Sequence, residues 1–213
     1  HQSIRMTGDG VTTPANFQPT TDFAYCMVPG IEYFSKRPGF TMLVVGDSIS
    51  AGAVNSNIGN FSNGWVRQLT NLVRAALPGT PIETANISIP NAGSATFLSH
   101  LNAYITAGGK FDVAIYSTFS PNGGTPTQAI IDSSLSLAAQ AIDICKTAGK
   151  PTVLVGPTPN TALAWTAPQD AFRLQARTET LAAAYSHVTA LDTNVIGDGA
   201  SPERFQTAYT TDN

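Results

Sequence analysis

Short apolar runs alternate with longer stretches of helical period along the chain from Thr41 onward. Five of these runs have the length and composition of buried strands, and amphipathic stretches of helix length separate them. This alternation predicts βαβ units, and therefore a parallel sheet of five strands covered by helices. The predicted strands are Met42–Val45, Ile82–Ile89, Phe111–Tyr116, Thr152–Val155 and Val188–Leu191.

Two of the four predicted helices carry explicit start signals. Thr125-Pro126-Thr127-Gln128 and Thr166-Ala167-Pro168-Gln169 each combine a capping box with a proline in the first turn. The other two helices are predicted near residues 63–77 and 95–107. Apolar stripes predict buried faces made of Leu69, Leu72, Val73 and Ala76 in the first helix, of Ile131, Leu135, Ala138, Ile142 and Cys145 in the third, and of Leu174, Thr178, Leu181 and Tyr185 in the fourth.

The N-terminal part of the chain has a different pattern. Glycine and proline interrupt every candidate element of residues 1–40, which predicts an irregular extension that packs on the domain or links it to a neighbour. Residues 41–213 suit a single domain, because one hydrophobic core serves chains of up to about 250 residues. The chain opens at His1 with neither an initiator methionine nor a signal peptide, so we expect it to be processed or cut from a longer polypeptide.

Composition and charge exclude several classes of protein. Hydrophobic residues make up 42% of the chain, which is enough for a sizeable core and too many for a disordered protein. The net charge of −3, without a basic run, argues against a general affinity for nucleic acid. No apolar stretch reaches the ~20 residues of a membrane span. Charged residues are only 12% of the chain, and the Thr- and Asn-rich remainder is typical of secreted or extracellular proteins, virion-associated ones included.

Two cysteines, Cys26 and Cys145, are too few for a disulfide scaffold and too far apart in sequence for a metal knuckle. We interpret them as unpaired thiols, with pairing as the alternative. Nothing beside either residue indicates a reactive cysteine.

A candidate nucleophile follows the first predicted strand. Gly46-Asp47-Ser48 places a hydroxyl at the exit of a buried strand, beside a glycine that permits a tight turn. Ligands of open parallel sheets bind beyond the carboxyl ends of the strands, so Ser48 is positioned to attack an ester. The alternative interpretation is that Ser48 only closes the turn or contacts a phosphate.

The exits of the next two strands carry Pro90-Asn91-Ala92-Gly93-Ser94 and Ser120-Pro121-Asn122-Gly123. Together with Gly46-Asp47-Ser48, these blocks resemble those of the SGNH hydrolases, also called the GDSL esterase and lipase family. The resemblance covers roughly residues 41–213. It implies a flavodoxin-like, three-layer αβα sandwich with Ser48 as nucleophile. It also implies an oxyanion hole formed by the Ser48 amide, the Gly93 amide and the Asn122 side chain.

The chain departs from the family pattern in two places. The family's third block is usually G-x-N-D, where this chain has Ser120-Pro121-Asn122-Gly123. The family's last block is D-x-x-H, in which the histidine is the general base and the aspartate orients it. Asp212 matches that aspartate, and its histidine would stand two positions beyond Asn213, so we expect a C-terminal segment of the same polypeptide to supply the base. The histidines within the chain are interpreted as surface or packing residues: His1, His100 and His187.

The resemblance implies a serine esterase that works through an acyl-serine intermediate, with no metal or cofactor. The loops predicted around its mouth are polar and offer no lid for lipid chains, which favours a small acyl group, acetyl first, on a glycan substrate. Trp65, Phe119 and Trp165 lie in or beside these loops and are interpreted either as sugar-stacking or as packing residues. Two alternatives stay open: a glycan-binding or structural module that lacks the base, and a lipid or thioester hydrolase.

Overall fold

The computed structural model describes residues 3–6, 17–20, 38–52, 64–159, 165–182 and 188–201. Near the N-terminus, β1 (Ser3–Met6) and β2 (Phe17–Thr20) form an antiparallel pair. The prediction of an irregular extension over residues 1–40 is therefore wrong for these two segments. Pro19 does not prevent the pairing, because each strand of a two-stranded sheet is an edge strand and edge strands tolerate proline. The other residues before Pro38 lie outside the described part of the chain.

The main sheet has five parallel strands, as the sequence predicts, in the order β4-β3-β5-β6-β7. From β3 the chain goes first to β4 on one side and later to β5 on the other. The strand order therefore reverses at β3, and a crevice forms there at the carboxyl edge of such a sheet. The strands are β3 (Phe40–Val45), β4 (Ile82–Asn86), β5 (Val113–Ser117), β6 (Thr152–Val155) and β7 (Val188–Leu191).

Five α-helices lie in the described residues, and none is long and apolar enough to cross a membrane. The start signal at Thr166 is confirmed, since its amide donates to the Gln169 side chain at 2.8 Å. At the other start signal Thr127, not Thr125, caps the helix by accepting from the Ile130 amide, so the helix begins at Gln128. The helices are α1 (Ser48–Ala51), α2 (Trp65–Ala76), α3 (Ser94–Thr106), α4 (Gln128–Thr147) and α5 (Ala167–Ala182).

The two largest clusters of the hydrophobic core cover the two faces of the sheet. Alternate residues of β3 point to opposite faces, and both sets are buried. Leu43 and Val45 pack with residues of α3 and α4, while Met42 and Val44 pack with α2. The architecture is thus a three-layer αβα sandwich, and both faces of its central strand are covered, as is usual in parallel sheets.

The apolar stripes predict one buried helix face correctly and two incorrectly. Of the predicted face of α4, all but the half-buried Leu135 is buried. In α2 the buried positions are Val66 and Thr70, and the predicted Leu72 is 68% exposed. In α5 the predicted Leu174 and Thr178 are not buried, and Tyr185 lies outside the described residues. Polar residues occupy most of the true inner face of α5, which hides it from a search for apolar periodicity: Asp170, Arg173, Ala176 and Thr180.

Candidate active site

The exits of β3, β4 and β5 meet at the side chain of Ser120. Its hydroxyl donates at 2.8 Å to Oδ2 of Asp47, which follows β3. The same hydroxyl lies 2.9 Å from the carbonyl oxygen of Ala92, which follows β4. Ser48 directly follows Asp47, and Gly93 directly follows Ala92. Asn122 stands two residues after Ser120. The hydrogen bonds therefore bring the three loops that carry the sequence-predicted site residues to one place at the carboxyl edge of the sheet.

Ser48 is the first residue of α1 and is half-buried, so its hydroxyl is not sealed in the core. The strand-to-helix turn before it depends on Gly46, for a different reason from the predicted one. Gly46 is not among the glycines with positive φ. A Cβ at Gly46 would lie 2.5 Å from Ser50 Oγ and 2.8 Å from Ser117 Oγ, so the glycine is needed for close approach.

Asp47 is the buried anchor of this turn, with 5% of its surface exposed. Its Oδ1 accepts from the Ile49 amide at 3.0 Å and caps α1. Burial raises the pKa of Asp47 above its ordinary value, against the hydrogen bonds from Ser120 and from the backbone of Ile49 and Ser50, which lower it. Asn86 supports the turn from β4, because its side-chain amide donates to the Ser50 carbonyl at 2.8 Å.

The loop after β4 presents Gly93 at the start of α3. Asn91 has a φ of 63°, which is uncommon outside glycine and places a tight bend just before Ala92. Gly93 caps α3 without a side chain. A Cβ at Gly93 would lie 3.8 Å from the Cα of Gly123, so the loops after β4 and β5 run side by side here.

The exit of β5 forms a short 3-10 turn over Pro121–Gly123. Ser120 precedes this turn, and its hydroxyl oxygen accepts from the backbone amide of Asn122 at 3.2 Å. Asn122 is exposed, and its side-chain nitrogen lies 3.5 Å from the Ala92 carbonyl oxygen, a distance at which a hydrogen bond is weak. An exposed amide that is weakly engaged can turn toward a ligand.

Three of the remaining sequence-predicted residues lie outside the described part of the chain. Asp212, His1 and His187 lie outside the described residues, so the predicted role of Asp212 and the predicted source of the histidine stay predictions. His100 lies within α3. Phe119 and Trp165 are buried and pack edge to face at 6.3 Å, and Trp65 packs against the α2 side of the core, so the structure favours packing over sugar stacking for these rings.

Two further observations bear on the chemistry of the described residues. Cys145 is a free thiol buried in the core, whereas Cys26 lies outside the described residues. Burial raises the pKa of Cys145, which disfavours the thiolate that a cysteine nucleophile needs. Within the described ranges, no group of three or more histidine, cysteine, aspartate or glutamate side chains could hold a metal ion.

Sequence reasoning missed the roles of Asp47 and Ser120. Both residues stand inside the quoted blocks, but Asp47 was read only as part of the motif and Ser120 only as a departure from it. The sequence did contain a signal. Asp47 and Ser120 follow buried strands and flank the candidate residues, and a carboxylate or hydroxyl that is buried there needs a hydrogen-bond partner.

Neither a protein-family model nor a curated protein matches the sequence. Solved structures do match. A G-D-S-L family protein from Desulfitobacterium hafniense has 15% identity and a TM-score of 0.60, over 82% of this chain and 89% of that one. The esterase EstA from Pseudoalteromonas sp. has 19% identity and a TM-score of 0.53, over 73% and 79%. Axe2, an acetylxylan esterase from Geobacillus stearothermophilus, has 17% identity and a TM-score of 0.53, over 78% and 83%.

The order of strands, the helices on both faces and the loops joined at the carboxyl edge define a doubly wound α/β protein with a candidate site at its switch point. The matched structures are more specific. The chain has the fold of the SGNH, or GDSL, hydrolases, which confirms the fold that the three sequence blocks imply.

Proposed function

We propose that this chain is a serine ester hydrolase with Ser48 as its nucleophile. The observation that carries the proposal is the junction at Ser120, which brings the loops of Ser48, Gly93 and Asn122 together. A fold alone does not imply a function, so the proposal depends on this site and not only on the esterases among the similar structures.

In the proposed mechanism, the Ser48 hydroxyl oxygen attacks the ester carbonyl and passes its proton to a histidine base. The oxyanion accepts hydrogen bonds from the Ser48 amide, the Gly93 amide and the Asn122 side chain. Collapse of this intermediate releases the alcohol, which takes up the proton, and leaves an acyl-serine. Water, activated by the same base, then hydrolyses the acyl-serine. The Ser48 amide is a reasonable donor, because amides in the first turn of a helix have no intrahelical acceptor.

The histidine base of this mechanism follows from the family resemblance. In the D-x-x-H pattern, the histidine would stand three positions after Asp212, in a segment of the same polypeptide that follows Asn213. We expect the full encoded polypeptide to be active, and chain 1–213 alone to be slower by several orders of magnitude. Equal activity of the two proteins would contradict this source of the base.

Small acyl esters on a glycan, with acetyl as the acyl group, are the substrates we favour. At the exits of β3 and β4, the large exposed hydrophobic side chains are Ile49 and Ile89, with 42% and 38% of their surfaces exposed. The main-chain bond from the Ile89 amide to the Gly46 carbonyl, at 3.1 Å, keeps Ile89 near the nucleophile turn. Two isoleucines suit an acetyl methyl group better than a long chain. Axe2, which has this fold, is an acetylxylan esterase, and a secreted or extracellular location would suit such a substrate.

Covalent labelling tests the function directly. An alkyl fluorophosphonate should form a bond between phosphorus and Ser48 Oγ, with loss of fluoride, and mass spectrometry should place the added mass on Ser48. Ser48→Ala should lower ester hydrolysis by about 10⁴-fold or more, while Ser133→Ala, at an exposed serine of α4, serves as the matched control. These measurements use the full encoded polypeptide. Hydrolysis that survives in Ser48→Ala would contradict this nucleophile, and a full polypeptide that neither reacts nor hydrolyses would contradict an enzyme and favour a glycan-binding module.

A second comparison separates the substrate classes. We expect faster release of acetate from acetylated xylan than of long-chain acids from their esters, both measured as kcat/KM with the same preparation. A preference for long-chain esters or for thioesters would favour a lipid or thioester hydrolase that uses the same nucleophile.

A further inference from the structure

The carbonyl oxygen of Ala92 lies between two side-chain donors. The Ser120 hydroxyl oxygen is 2.9 Å away, at an ordinary hydrogen-bond distance, and the Asn122 side-chain nitrogen is 3.5 Å away, at the limit of one. Ala92 is buried, and a buried carbonyl that loses its donor is costly. The carbonyl oxygen has two lone pairs and can accept from both groups, and Ser120 is the closer donor.

The difference in distance matters for the proposed oxyanion hole. With Ser120 as its near donor, the Ala92 carbonyl holds the Asn122 side chain only at 3.5 Å, whereas a short hydrogen bond would fix the orientation of the side-chain amide and restrict its turn toward an oxyanion. We propose that Ser120 is a positioning residue that satisfies the Ala92 carbonyl and so leaves the Asn122 side chain available to the oxyanion. The inference rests on the proposed function, because it needs Asn122 to act on a substrate. The hydroxyl belongs to this chain in particular, since the block pattern from which it departs has glycine at the position of Ser120.

Asp47 holds Ser120 in place for this role. The Ser120 hydroxyl has one proton and two acceptors, Asp47 Oδ2 at 2.8 Å and Ala92 O at 2.9 Å. The two acceptors share this one proton, so the Ser120 hydroxyl oxygen lies between them and is held on both sides. The backbone amide of Asn122 donates to the Ser120 hydroxyl oxygen and gives that oxygen a third hydrogen-bond partner.

The role predicts a specific kinetic signature. In Ser120→Ala, the side-chain amide of Asn122 should become the donor to the Ala92 carbonyl. We expect kcat for a small acetyl ester to fall by about 10-fold or more, toward the roughly 10²–10³-fold loss that deleting an oxyanion donor causes, while KM changes little. Ser134→Ala is the matched control, because Ser134 is also a buried serine whose hydroxyl meets one other side chain, that of Ser94.

A double-mutant cycle separates this role from a merely structural one. Asn122→Ala should lower kcat strongly in the wild-type background and only slightly in the Ser120→Ala background, because there the amide is already diverted. Ser120→Cys, which keeps the side-chain volume and a weaker donor, should have an intermediate kcat. It also carries the test if Ser120→Ala does not fold.

The outcomes distinguish the two proposals. If hydrolysis depends on Ser48 and Asn122 but the losses from Ser120→Ala and Asn122→Ala multiply independently, or Ser120→Ala matches Ser134→Ala, the role of Ser120 is wrong and the esterase stands. If no hydrolysis depends on Ser48, the proposed function fails and this inference fails with it.

Discussion

Two regions of the molecule bury polar side chains for different purposes. At the carboxyl edge, the loops 46–52, 87–93 and 118–124, which we call the nucleophile rim, bury Asp47 and Ser120. On the inner face of α5, Asp170 and Arg173 are 2% and 0% exposed and form an ion pair at 2.6 Å. The bonds at the rim join segments 28 and 73 residues apart in sequence, whereas the α5 pair joins residues one helical turn apart.

The two regions are in contact with each other, so they do not differ because they are far apart. They differ in what their buried polar side chains do. Thr118 at the rim and Thr180 of α5 share a buried hydrogen bond of 3.0 Å, and Phe119 packs on Trp165 just before α5. Polar burial at the rim fixes where exposed groups such as Asn122 lie. In α5 the buried ion pair joins two residues of the same helix. Burial of a polar group alone therefore does not identify a site, and substitutions in each region should move different quantities.

The largest change in stability is expected from Arg173→Met. It leaves Asp170 buried without the guanidinium that faces it, and breaking a buried pair in this way costs about 3–5 kcal/mol. Lys150→Met is the matched control, because the Lys150–Asp112 pair is partly exposed at 3.5 Å and such pairs contribute about 1 kcal/mol or less. Urea unfolding measures both. At temperatures where Arg173→Met is folded, kcat should stay within about twofold of wild type. A small stability loss with a large fall in kcat would place the α5 pair in the site instead.

Gly46→Ala should affect both stability and rate. The new methyl group would meet the Ser50 and Ser117 oxygens at 2.5 and 2.8 Å in a buried place, and overpacking of this kind costs about 1–3 kcal/mol. Because Ser48 is two residues away, hydrolysis by the folded protein should also fall. The double variant Gly46→Ala/Ser50→Ala removes the nearest of the two oxygens and should recover part of the lost free energy of unfolding. No loss in the single variant would mean that the turn adapts freely.

The sequence predicts more of the rim than of α5, for physical reasons. Ser48, Gly93 and Asn122 each come just after an apolar run, and the carboxyl ends of parallel strands meet at one edge, so their proximity follows from the pattern. The bond between Asp47 and Ser120 depends on the register in which Val45 lies opposite Tyr116, and that register is not written in either strand alone.

The inner face of α5 was missed for the opposite reason. Apolar periodicity assumes that buried positions are hydrophobic. In α5 the ion pair and Thr180 occupy the inner face, and the apolar Leu174 and Leu181 lie at its half-buried margin. The same assumption placed Leu72 of α2 inside, although it is among the most exposed large hydrophobic side chains of the described residues.

Asp47→Asn tests the rim through pH. Burial raises the folded-state pKa of Asp47 above the ordinary value of 3.8, so the folded protein binds this proton more tightly than the unfolded chain does. Its contribution to stability is therefore fully present below pH 3.8 and is lost as the pH rises through the folded-state pKa, with a slope of up to about 1.4 kcal/mol per pH unit. Relative to Asp47→Asn, the wild type should lose free energy of unfolding across that window. A relative gain would mean that the hydrogen bonds to Asp47 outweigh its burial.

Gly93→Ala should have the smallest effect, and it sharpens the contrast with Gly46→Ala within the rim itself. A Cβ at Gly93 would lie at ordinary contact distance from Gly123, and its φ of −97° suits any residue. Alanine caps a helix less well than glycine, but it also lowers the entropy of the unfolded chain, so the two effects, each below about 1 kcal/mol, should nearly cancel. Thermal unfolding should therefore give nearly equal midpoints for wild type and variant. Because the amide at position 93 remains, the loss of kcat should also be smaller than in Asn122→Ala. A destabilisation as large as that of Gly46→Ala would mean that the loops after β4 and β5 approach more closely than 3.8 Å, and that close packing, rather than hydrogen bonding through Ser120, holds this part of the rim together.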